Sequence, residues 1–135
     1  MATYLIGTDA ESASNAICDE IDDEIGPDDR LVVVNVQMTD DVDRLHRGEA
    51  ALAVFEERFG DRATVEVHQL NRGTPPSQEI SDYAEKVDAD RVVIALRRHS
   101  RTERVIFGSV AHSLLQRVTR PITLIPLDEG GGSEN

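Results

Sequence analysis

Five short apolar runs alternate with amphipathic stretches along this chain, and the alternation predicts its architecture. Thr3 to Thr8 is a brief apolar run that ends at Asp9. Ala13, Ile17, Ile21 and Ile25 recur every fourth residue, which draws one helical stripe with acidic residues off it. Gly26 to Asp29 reads as the stop of that helix. Leu31 to Val36 is β-branched and almost unbroken, the pattern of a strand buried on both faces. Leu45, Gly48, Leu52, Phe55 and Phe59 mark a second helix, closed by Gly60-Asp61. Ala63 to Leu70 alternates apolar with polar, so this strand should have a wetter face and lie at a sheet edge. Asn71 to Pro76 is a turn that ends in prolines suited to a helix start. Ile80, Tyr83, Ala84 and Val87 form the third helical stripe, and Val92 to Leu96 the fourth strand. Val110, Ala111, Leu114, Leu115 and Val118 form the fourth stripe. Pro121 to Leu127 is the last strand, with prolines that fit an edge or an interface.

Strands alternating with helices imply βαβ crossovers, hence a single α/β domain over residues 1–127, with a five-stranded parallel sheet between two helical layers. Residues 128–135 are acidic and Gly-rich and read as a disordered tail. In such sheets ligands sit beyond the carboxyl ends of the strands, where the winding reverses. The loops there follow Thr8, Val36, Leu70 and Leu96, and carry Asp9, Gly73 and an Arg-rich segment.

Charge sharpens this picture. The chain has 26 acidic and 14 basic residues, a net charge of -12, and Lys86 is its one lysine. An acidic surface with arginine in place of lysine fits a high-salt cytoplasm of the haloarchaeal type. There the Debye length is only a few Å at about molar salt, and carboxylate repulsion is screened. The same balance argues against nucleic acid and anionic membranes as partners. Cys18 cannot form an internal disulfide and reads as a packing residue. No leader pattern and no apolar run of spanning length occurs, which predicts a soluble cytoplasmic protein.

Against that acidity, Arg97, Arg98, Arg101 and Arg104 crowd one loop between a strand and a helix. Guanidinium forks beside the free N–H groups of a helix start make an anion site. The competing reading is a solvated loop that neutralises acidic neighbours.

The order of these pieces resembles the universal stress protein family from Thr3 to Leu127. The first strand ends Gly7-Thr8-Asp9, and a valine-rich second strand follows. Gly73 and Pro75 stand before Ile80, and Asp88-Ala89-Asp90 leads into a strand. Phe107-Gly108-Ser109-Val110-Ala111 opens the last helix, and Pro121 the last strand. The resemblance implies sheet order 3-2-1-4-5, an adenine-nucleotide-binding (Rossmann-like) fold and a homodimer through Pro121–Leu127. Nucleotide-binding members carry Gly, two residues, Gly, nine residues, then Gly and Ser or Thr. Here the first two glycines are replaced by Ala95 and Arg98, while Gly108 and Ser109 match. The implied nucleotide-binding set is Asp9 toward the ribose, Val34 or Val36 toward adenine, then Ala95, Arg97, Arg98, Arg101, Gly108, Ser109 and Val110. Asp9 and Ser109 also read as helix N-caps.

The function implied is a nucleotide (ATP)-responsive module of the stress response. The alternatives are a dimeric interaction module without nucleotide and a weak ATP hydrolase. His46, His68, His99 and His112 have no ligand spacing, so no metal is expected. Ser109 lacks a nucleophile elbow, no Walker loop occurs, and Asp22-Asp23 and Asp40-Asp41 read as solvated faces.

Overall fold

The computed structural model describes residues 1–97 and 109–127, with the backbone alone for Arg97 and Ser109. Arg98, Arg101, Arg104 and Gly108, and the expected tail from residue 128, lie outside the described residues. The elements are β1 (Thr3–Gly7), α1 (Glu11–Ile21), β2 (Arg30–Val36), α2 (Val42–Phe59), β3 (Thr64–Leu70), α3 (Pro76–Lys86), β4 (Arg91–Arg97), α4 (Ser109–Arg117) and β5 (Ile122–Leu127). The strands form one sheet in the order β3-β2-β1-β4-β5, every neighbouring pair parallel.

Strand periodicity divides the core in two. Tyr4 and Ile6 of β1, Leu31 and Val33 of β2 and Val93 of β4 face α1 and α2, where they pack on Ile17, Cys18, Phe55 and Phe59. Leu5, Val32, Val34, Val92 and Ile94 face the other way, onto Ile80 and Ala84 of α3 and Ala111 and Leu114 of α4. This two-sided burial is why β2 reads as an unbroken apolar run. β3 is an edge, as its alternation predicts, and Glu66 and His68 on it stay part-exposed. Glu66 pairs with Arg30 at 2.8 Å, and that guanidinium holds the carboxyl below its usual range.

Helix ends follow local chemistry. α1 stops at Ile21, before the Gly26 to Asp29 stop that the pattern suggests. No basic residue lies in its last turn, and Asp22, Asp23 and Glu24 would repel the negative end of a longer helix. A turn closed by Glu24 N–H to Ile21 O at 2.9 Å follows, and Ile25 is buried without being helical. Asp41, which reads as part of a solvated face, is the N-cap of α2, accepting from the Asp43 N–H at 2.9 Å. α3 begins with Pro76 at its first position and ends where Asp88 takes a left-handed φ of 53°.

Cys18 is fully buried among Ile17 and Ile21, and burial pushes its thiol up to about 12. It is an inert packing residue. Among the described residues no helix is long and apolar enough to cross a membrane.

Candidate functional site

β1 lies at the centre of the sheet, with β2 and β3 wound to one side and β4 and β5 to the other. The winding therefore reverses between β1 and β4, and a crevice should open beyond their carboxyl ends. A cavity of about 370 Å³ lies there. Its floor is the end of β1, Gly7 and Thr8, with Asp9 beside them. Val34 and Val36 of β2 form one wall, and Ile94, Ala95 and Leu96 of β4 the other. Pro76 and Ile80 of α3, Val110 and Ala111 of α4, and Ala13 of α1 complete it. The size falls in the range of small-ligand sites, and the lining is mostly apolar.

Each lining residue is there for a local reason. Gly7 is opposite Val34 on one side and Ile94 on the other. A Cβ at Gly7 would lie 2.8 Å from Ile80 Cδ1 and 3.3 Å from Ile94 Cγ2, so glycine lets α3 close over the strand end. Val34 is buried and Val36 half-buried, both on the α3/α4 face of β2. Asp9 is exposed at the mouth. It is not the N-cap of α1, because that helix starts at Glu11 with Ala10 in the cap position.

Of the residues that the sequence points to, Asp9, Val34, Val36, Ala95 and Val110 line this one cavity. Arg97 ends β4 and Ser109 opens α4, which puts their backbones at the same end of the sheet. Arg98, Arg101 and Gly108, and with them the expected anion site, fall outside the described residues. Among the described residues no three His, Cys, Asp or Glu side chains are grouped as a metal site.

Two groups of side chains behind the cavity have no signal in the hydrophobic pattern. The first surrounds Asn35, which is fully buried between Val34 and Val36. Its Nδ2 donates to the Thr8 carbonyl at 2.9 Å. Its Oδ1 accepts from Gln37 Nε2 and from Gln69 Nε2, both at 3.0 Å. Gln69 Nε2 also donates to the Leu45 carbonyl at 2.8 Å, which ties β3 to α2. The Thr8 and Ser14 hydroxyls meet at 2.7 Å, and Ser14 donates to the Ala51 carbonyl at 2.7 Å. A hydroxyl has one proton, so Thr8 is the donor to Ser14.

The second group is Arg72 and Glu79. Glu79 is buried in the first turn of α3, where the helix start favours a carboxylate. Arg72 holds it with a fork, Nε to Oε2 at 3.0 Å and Nη2 to Oε1 at 2.6 Å. Hydrogen bonding to Glu79 raises the Arg72 pKa. The pair pins the β3–α3 turn, where Gly73 has a φ of 77°, against the helix that supplies Pro76 and Ile80. An acid seven residues after an arginine was the available sequence signal, but such a pair is indistinguishable from solvated charges until burial is known.

The universal stress protein family model matches residues 3–126. No characterised protein sequence in a curated search matches the chain. Among solved structures, a universal stress protein from Archaeoglobus fulgidus is 23% identical with a TM-score of 0.70, over 93% of this chain and 98% of that one. The Archaeoglobus protein in complex with dAMP is 22% identical, TM-score 0.64, with the same coverage of 93% and 98%. A universal stress protein family protein from Arabidopsis thaliana with AMP bound is 14% identical, TM-score 0.65, over 98% of both chains. At these identities the likeness to the solved structures establishes the fold.

Proposed function

Because the chain belongs to the universal stress protein family, we propose that the cleft between β1, β2 and β4 binds ATP or a related adenine nucleotide, and that the protein is a nucleotide-responsive module of the stress response. One observation carries this reading. A mostly apolar cavity of about 370 Å³ at the switch point brings Asp9, Val34, Val36, Ala95 and Val110 together. The dAMP and AMP complexes of the Archaeoglobus and Arabidopsis proteins add weight to it.

The chemistry follows from the lining. Apolar walls take a flat base, whose burial removes apolar surface from water. A carboxylate at the mouth is a double acceptor, suited to the vicinal hydroxyls of ribose. The phosphates would run toward the segment holding Arg98, Arg101, Gly108 and Ser109. Replacement of two motif glycines by Ala95 and Arg98 supports the second reading, a dimeric interaction module without nucleotide. Hydrolysis ranks last, since Asp9 is the one carboxylate on the described lining.

Mass spectrometry of whatever co-purifies with the native protein in high salt, followed by titration with ATP, tests the proposal. Val36→Trp puts a large ring into the cavity and should weaken ATP binding at least about tenfold, roughly 1.4 kcal/mol. Absence of binding by the wild type, or undiminished binding by Val36→Trp, would transfer support to the interaction module.

The surface charge belongs to the same proposal as a high-salt adaptation. The net charge is -12, and exposed carboxylates repel one another in the folded state. The thermal midpoint followed by circular dichroism should climb as KCl rises from low to molar concentration, because screening removes that repulsion. A flat or falling midpoint rules the adaptation out.

A further inference from the structure

Thr8 is held by all three of its polar groups. Its N–H donates to the Val34 carbonyl at 3.1 Å, its carbonyl accepts from Asn35 Nδ2 at 2.9 Å, and its hydroxyl meets Ser14 Oγ at 2.7 Å. The Thr8 carbonyl belongs to the peptide that carries Asp9, so fixing it fixes the direction in which Asp9 leaves β1. Ser14 and Asn35 are both fully buried, and neither lines the cavity. They grip β1 from the α1/α2 side, while Asp9 stands at the mouth on the other side. Buried amides so fully paired also make the grip rigid, since any rotation strands a polar group away from water.

We propose that Asn35 and Ser14 are positioning residues, which hold Asp9 where it meets the ribose hydroxyls of the nucleotide. The proposal rests on the nucleotide reading of the cleft. A carboxylate set in advance loses little freedom when the ligand arrives, so the gain should appear as preference for a ribose that can donate. A purely structural role for the same groups would weaken all ligands alike.

Calorimetric titration with AMP and with 2′,3′-dideoxy-AMP separates the two. The wild type should prefer AMP by about tenfold or more, the scale of a charge-assisted hydrogen bond. Asp9→Ala should abolish that preference. Asn35→Ala should bring it close to unity while affinity for the dideoxy nucleotide holds within about twofold, and the double variant should be no worse than Asp9→Ala alone. Ser14→Ala removes one hydroxyl at a helical position where alanine is favoured, and should cut the preference about threefold even if Asn35→Ala does not fold. Parallel weakening of both nucleotides, or a preference that survives in the folded variants, overturns the positioning role. A wild type that binds the two equally overturns it too, with the nucleotide reading intact. A wild type that binds neither overturns both.

Discussion

Gly48→Ala should lower the thermal midpoint by roughly ten degrees, although helix propensity alone favours the change. Alanine in a helix interior is better than glycine by about 1 kcal/mol. Here a Cβ would collide with Asn35 Oδ1 and stand 2.7 Å from Gln69 Nε2. Both amides would have to move. Asn35 would then lose its bonds to Thr8, Gln37 and Gln69 inside a buried site. Each stranded buried polar group costs about 1–3 kcal/mol. Two such groups outweigh the propensity gain and leave a net loss of about 1–5 kcal/mol, with about 3–5 °C lost per kcal/mol for a domain of this size. Thermal unfolding of both proteins at the same KCl concentration decides it. A midpoint equal to or above wild type would show that the amides relax freely and that the close approach of α2 to β2 carries no strain.

Leu124→Asp should convert a dimer into monomers. β5 is the sheet edge beside β4, and among the described residues no strand covers its outer side. An apolar edge left open invites pairing with another chain, and a two-fold axis lets β5 meet its own copy. Ile125 does not serve that contact, because it is only 6% exposed and packs in the chain's own core. Ile122 and Leu124 are half-buried and remain available. Pro126 is exposed, as a proline on an edge strand should be. Two unpaired charges at a symmetric contact cost about 3 kcal/mol or more, over a hundredfold in dissociation constant. Light scattering in molar KCl gives the answer. A monomeric wild type, or a variant that remains dimeric, removes β5 as the interface.

The sequence by itself determined the architecture, because period is a local property. Alternation at two and recurrence at three to four residues mark each strand and helix, and strictly alternating elements leave a parallel sheet as the outcome. Even the position of β3 at an edge was legible, since a strand with one wet face cannot lie between two others in a two-sided sheet. The position of the cleft was legible because chain order fixes which loops leave the carboxyl ends of the strands, while Val34, Val36, Ala95 and Val110, which line it, were implied by the family resemblance. Only the tertiary structure gave reasons for Asn35, Ser14, Gly48 and Glu79. Asn35 is a polar letter in an apolar run, Gly48 a small one in a helical stripe, and Glu79 one acid among many. The roles of Asn35 and Ser14 depend on partners that lie 27, 37 and 34 residues away along the chain in the contacts Asn35–Thr8, Ser14–Ala51 and Gln69–Asn35. A hydrogen bond is decided by distance and burial, and neither exists until the helices have closed on the sheet.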